Sequence, residues 1–164
     1  GCTNLTEVTD IPDNVESLEK TFENCTNLNK APNINKNAKN MICTFSGCSS
    51  LEKAPDIPDG VKQMHGTFEN CGSLVTPPNL IPSSVSDMSF TFYACSKLQG
   101  EMQINADIQG KNIVISNTPF LDYSECFNNA CTDGDGLVIK NTSLTNKDFL
   151  KKLVNGNTKI EIQE

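Results

Sequence analysis

Tryptophan is absent from this 164-residue chain, histidine occurs once and tyrosine twice. No stretch approaches the ~20 consecutive apolar residues of a membrane-spanning helix, and no charged, apolar, small-residue leader is present. Membrane insertion is therefore not expected. Thirteen Lys and Arg face twenty Asp and Glu, for a net charge of -7 and a pI near 4.7, and no basic stripe interrupts the acidity. That balance disfavours nucleic acid or an anionic membrane as partner. No Cys-x-x-Cys pair offers itself to tetrahedral zinc. The sequence also lacks a Ser/His/Asp set, a paired-carboxylate motif, a phosphate-cradling glycine loop and a dinucleotide fingerprint. An enzyme is not expected, nor is a cofactor. Hydrophobic residues make up only 37% of the chain, which implies a thin core.

What is present is periodicity. Thr21-Phe22, Thr44-Phe45, Thr67-Phe68 and Thr91-Phe92 are each followed three residues on by a cysteine and six on by a leucine. Cys2 and Leu5 form an earlier half-copy. The cysteines Cys2, Cys25, Cys48, Cys71 and Cys95 are separated by steps of 23, 23, 23 and 24 residues, the evenness of a stack of small coils. Further apolar residues recur nine, thirteen, sixteen and twenty positions after each cysteine, for example Ile57, Val61, Met64 and Phe68 after Cys48. These are the expected inward slots. One extra residue near Leu80-Ile81 moves the last three to Val85, Met88 and Phe92 and accounts for the single step of 24.

Ala31-Pro32, Ala54-Pro55, Pro77-Pro78, Ile11-Pro12, Ile57-Pro58 and Ile81-Pro82 mark corners, because proline fixes φ and cannot donate to a ladder. Val61, Met64, Phe68 and Cys71, spaced three, four and three, suit a short helical turn ending in Phe-x-x-Cys, while Val61 to Met64 could equally be a brief strand leading into it. The fold class expected is an α/β repeat solenoid, a leucine-rich-repeat-like stack of short strands and helical turns with a C-terminal cap. Parallel pairing of successive coils would add ~4.8 Å of rise for each. One domain over 1–164 is expected, with regular repeats in 2–98, irregular ones in 99–131 and the cap in 132–164. Short strands are predicted at 113–115, 137–139 and 159–163, and Thr145 can cap a helix over 145–155. Because Cys2 enters part-way through a repeat, the chain is expected to be a piece of a larger protein.

The segments TFENCGSL (67–74) and APDIPDGV (54–61) resemble the BspA-like leucine-rich repeats of bacterial surface proteins, and the likeness covers 2–98. Ala or Pro stands where that family more often has a larger apolar residue, and Met where it often has Ile. The resemblance implies a module outside a bacterial cell, displayed at its surface for recognition or adhesion. It implies a host or bacterial surface protein or a glycan as partner.

Eight cysteines require weighing. Stacked coils put the equivalent Cα atoms ~4.8 Å apart, within disulfide range, but parallel side chains leave the Cβ atoms ~4.8 Å apart too, where a relaxed bridge wants about 3.8 Å. Free buried thiols, each S–H reaching a carbonyl, are the preferred reading. A bridge between Cys126 and Cys131 stays open. Asp133-Gly134-Asp135-Gly136 lacks the later ligands of a calcium loop and is read as a turn. Asn4-Leu5-Thr6, Asn24-Cys25-Thr26 and Asn141-Thr142-Ser143 match the glycosylation tripeptide by chance.

His65 falls in a variable slot, with Glu19, Ile42 and Ser89 as its equivalents, and is expected at the surface. The candidate binding residues are Lys62, Gln63, His65, Phe90 and Tyr93, with Lys20 and Lys39 beside them. Phe90 is the most suggestive, since the other copies carry Lys20, Cys43 and Gly66 there; packing beneath the irregular segment that follows is its other reading. A monomer that recognises a protein or glycan is favoured over a structural spacer or stalk, and both over a cysteine-based redox or metal protein.

Overall fold

A computed structural model describes residues 1–105, 127, 129–133, 136–140 and 159–163. Its backbone winds in successive turns about one axis. Two lines of single-residue parallel bridges tie the turns together. One runs through Glu7↔Lys30 and Lys53↔Thr76, the other through Ser17↔Asn40, Asn40↔Gln63 and Gln63↔Asp87. Full strands do not form in these early coils. Beside Lys30, Lys53 and Thr76 a proline ends the straight segment within two residues, and after Ser17, Asn40, Gln63 and Asp87 tight turns begin two residues on, so pairing shrinks to isolated rungs. Farther along, longer stretches pair. Strands β1 (Leu80–Ile81), β2 (Gly100–Ile104), β3 (Leu137–Lys140) and β4 (Ile160–Gln163) make a parallel sheet in that order, with Gly100 opposite Leu137 and Leu137 opposite Ile160.

The inward slots meet as the repeat demands. Phe22, Phe45, Phe68, Phe92 and Phe127 form a column with ring centroids 5.4, 5.7, 5.6 and 5.5 Å apart and planes within 14° of parallel. Leu28, Leu51, Leu74 and Leu98 stack beside it, all buried. Burying one such side chain contributes about 1.5–3 kcal/mol, so a column of many small layers replaces the single large core of a globular domain.

Threonine and cysteine of the repeated motif fasten each coil to the one before. The hydroxyls of Thr44, Thr67 and Thr91 donate to the carbonyls of Leu18, Met41 and Met64 at 3.0, 2.8 and 2.8 Å. The thiols of Cys48, Cys71 and Cys95 donate to the carbonyls of Phe22, Phe45 and Phe68 at 3.1, 3.1 and 3.0 Å. These thiols are buried and outside any disulfide, as the parallel-side-chain argument expects. Burial raises Cys48 to about 12, and Cys71 well above its ordinary value.

The expected helical turn is not there. Between Leu18 and Cys25 the N–H groups of Thr21, Glu23 and Cys25 close turns on the carbonyls three residues back, while those of Leu18, Lys20, Phe22 and Asn24 donate to Asn40, Ile42, Thr44 and Ser46 of the next coil at 2.7 to 2.9 Å. Positive φ recurs in two slots, at Lys20, Cys43, Gly66 and Phe90, and at Asn24, Gly47, Asn70 and Ala94. Left-handed residues inserted this often exclude an α-helix. The chain becomes a ribbon of tight turns bonded sideways to its neighbour.

Two smaller shifts follow. Ile81 is fully buried and Leu80 only half-buried, while Asn79 still bonds Asp56 at 3.1 Å. The extra residue of the long step thus falls between Asn79 and Ile81, and Ile81 rather than Leu80 takes the inward slot. In the last layer the Ala130 N–H bonds the Phe127 carbonyl at 3.0 Å, as Cys95 does with Phe92 at 3.2 Å, so Ala130 holds the thiol slot. Cys131, free and buried, donates its N–H to the Cys95 carbonyl. At the other end Cys2 keeps the motif's turn, with Leu5 N–H on its carbonyl at 3.0 Å, but is exposed. The predicted helix over 145–155, the strand at 113–115, Cys126 and the middle of the Asp133–Gly136 turn lie outside the described residues. Among those described, no helix is long and apolar enough to cross a membrane.

Candidate functional site

The ribbon of turns presents one face to solvent, and its rungs are read by slot. Lys20, Cys43, Gly66 and Phe90 share one slot, and all have positive φ, 57° at Phe90. Glycine adopts that conformation without penalty, whereas a bulky aromatic does so rarely and under strain. Phe90 is half-buried nonetheless. Its ring meets His65 edge-on, centroids 5.6 Å apart at 64°, and Tyr93 at 5.8 Å and 56°. Both neighbours are half-buried as well. The three rings form an aromatic cluster at the surface, held by two successive coils. Such edge-on pairs are worth about 0.5–1.5 kcal/mol beyond their area, which offsets part of the strain at Phe90.

A polar chain orients the imidazole. The Ser89 hydroxyl donates to Asp87 Oδ1 at 2.6 Å, the Ser89 N–H donates to the same oxygen at 3.0 Å, and His65 Nδ1 lies 2.9 Å from Ser89 Oγ. With its proton committed to the carboxylate, the hydroxyl can only accept from the ring, so Nδ1 carries a hydrogen. In the order Asp–Ser–His the imidazole donates to the serine instead of accepting its proton, so the histidine does not stand as the serine's base. Its geometry is that of positioning.

The other proposed residues are distributed around this cluster. Gln63 is exposed and sits on the ladder against Asp87, placing it at the cluster's edge. Lys62 is exposed and its carbonyl receives the Ser86 N–H at 2.9 Å, so it flanks the same edge. Lys39 stands a coil away, paired with Glu16 at 2.8 Å in an exposed bridge of little energetic weight. Lys20 lies at the far end of the Phe90 slot. Asp87 and Ser89 are the positions in this cluster that sequence reasoning did not single out. The available signal was the recurrent polar residue two before the variable slot (Ser17, Asn40, Gln63, Asp87), whose side chain at Ser17, Asn40 and Asp87 takes the N–H two residues on, as Asn40 does for Ile42 at 2.9 Å.

Beside Phe90 the rung is Gly66, buried under its neighbours. A Cβ there would lie 3.1 Å from Glu69 Oε2 and 3.2 Å from Cys43 Sγ. Burial first, then the charges of Glu69 and Glu23, push the Cys43 thiol up, leaving a neutral group in an electronegative setting. Among the described residues no three His, Cys, Asp or Glu side chains gather as a metal site would require.

Open grooves lie elsewhere, between the proline corners. One of about 510 Å³ is lined by Glu7–Asp10 and Lys30–Asn33, and one of about 220 Å³ by Lys30–Asn33 and Lys53–Asp56. Their polar groups serve each other. Asn33 donates to Asp10 at 2.9 Å and Asn79 to Asp56 at 3.1 Å, in a ladder that alternates Asp with Asn and so avoids stacking like charges.

Stacked coils, parallel rungs and an inner column of leucine and phenylalanine define a repeat solenoid. In fold it is similar to a crystal structure of a leucine-rich repeat protein from Bacteroides ovatus, with a TM-score of 0.52 and 23% sequence identity over 86% of this chain. The likeness shows the fold, and the chain spans 35% of that protein's length. No family model matches the sequence, and neither does any curated protein.

Proposed function

We propose that this chain is a non-catalytic recognition module of the BspA-like kind, displayed outside a bacterial cell, that binds a protein or glycan through the turn face bearing His65, Phe90 and Tyr93. One observation carries the reading. A bulky ring occupies a left-handed backbone position that glycine fills one coil earlier, and the ring faces outward with two aromatic neighbours rather than into the core. Strain maintained at a surface position points to a role in binding rather than in folding. The acidic, repeat-built body supplies a rigid platform for it.

The test is binding of the chain and of Phe90→Gly to arrays of extracellular matrix proteins and of glycans. Saturable binding by the parent chain that the variant loses supports the proposal. A folded chain that binds nothing on either array would make it a spacer.

A further inference from the structure

The aromatic cluster sits among carboxylates, and that combination selects a ligand chemistry. Asp87 uses only Oδ1 on Ser89, and its Oδ2 has no protein partner among the described residues. Glu69 lies over Gly66, the rung beside Phe90, and among the described residues its carboxylate takes a single long contact, 3.5 Å from Asn70 Nδ2 to Oε1. Glu23 and Glu19 continue the acidic line toward the N-terminal coils, and the whole chain carries -7. Against these stand Lys62 at the cluster's edge and Lys20 at the far end of the Phe90 slot, whose charge opposes those of the glutamates at Cys43. Aromatic faces attract cations through their quadrupole, and carboxylates at the rim add direct attraction.

We propose that the cluster formed by His65, Phe90 and Tyr93, bordered by Asp87 and Glu69, holds a cationic side chain of a protein partner, arginine in preference to lysine. This deepens the recognition reading above and rests on it. Arginine is favoured because its planar guanidinium can lie on the Phe90 or Tyr93 ring while its N–H fork reaches a carboxylate, which a compact ammonium does less well. The Ser89 hydrogen bonds hold Asp87 in place for that contact. The rim carboxylates repel anionic polymers.

The test uses fluorescence anisotropy with a labelled peptide of alternating glycine and arginine, and a second peptide with glutamine in place of arginine. The parent chain is expected to bind the arginine peptide saturably and at least about tenfold more tightly than the glutamine one. Phe90→Gly should weaken binding by about tenfold or more, and Asp87→Asn or Glu69→Gln by about threefold each. Raising salt from about 50 mM to about 500 mM should weaken it further. Thermal unfolding checks that Phe90→Gly, which relieves a strained backbone, stays folded. Equal binding of the two peptides, no saturation up to about 1 mM, or full affinity in a folded Phe90→Gly chain would overturn the proposal. A neutral glycan bound in a Phe90-dependent way on the arrays would also overturn it while leaving the recognition reading intact, and an absence of any Phe90-dependent ligand would remove both.

Discussion

Truncating Phe68 to alanine tests the inner column at its centre. The ring is fully buried and stacked on both faces, 5.7 Å from Phe45 and 5.6 Å from Phe92. Phenylalanine-to-alanine changes in a core cost about 3–5 kcal/mol through lost transfer energy and the cavity left behind. Two aromatic pairs, each worth about 0.5–1.5 kcal/mol, put Phe68→Ala at the upper end, about 5 kcal/mol. Phe22 occupies the end of the same column, 6% exposed and with one ring partner among the described residues, so Phe22→Ala should cost about 3 kcal/mol. Urea unfolding of both variants, followed by circular dichroism, measures the difference. Since each coil touches only its neighbours, the central variant should also unfold in two steps or with a reduced slope as the halves uncouple. Equal costs for the two, or a loss below about 2 kcal/mol at Phe68, would refute a continuous column.

Thr67→Val keeps the shape of the side chain but removes the hydroxyl that lies 2.8 Å from both the Met41 and Met64 carbonyls; a loss of about 1–3 kcal/mol is expected in the same urea assay, and no loss would make the staple ornamental. Alkali should weaken the fold through its thiols. Burial holds Cys48 at about 12, Cys131 at about 11 and Cys71 higher than its ordinary 9.0, so these groups keep their protons when folded and lose them first when unfolded. Their contribution is complete below pH 9 and falls as pH rises toward 11 to 12, by about 1.4 kcal/mol per thiol at pH 10. The urea midpoint at pH 10 against pH 7 reports it, and Cys71→Val should flatten the dependence; identical pH profiles for the two chains would contradict it.

The stack itself was legible because phenylalanine, cysteine, threonine and leucine recur at fixed steps, and a strict period admits little besides a solenoid. The local backbone was not. Val61, Met64, Phe68 and Cys71 face inward at helix-like spacing, yet the same spacing arises when tight turns with left-handed residues return every few positions to the core. Gly47, Gly66, Asn24 and Asn70 in two recurring slots were the warning, since glycine and asparagine are the residues that tolerate positive φ. Lys20, Cys43 and Phe90 in one of those slots masked it. Neighbouring slots in successive coils made the meeting of His65 with Phe90 readable from register alone. The tilt of the rings and the hydrogen bonds from Ser89 to Asp87 depend on side-chain rotamers, which a repeat pattern does not specify.

The threonine and cysteine staples all point one way, from a coil to its predecessor. On a ribosome each newly emerged turn therefore meets acceptors that are already in place, whereas a turn made earlier waits for nothing of this kind from the one behind it. The backbone rungs run the other way, with the N–H groups of Leu18, Lys20, Phe22 and Asn24 waiting for carbonyls of the coil that follows. Each arriving turn thus closes both sets of bonds against its predecessor, and the array can assemble as a zipper during translation without any long-range search.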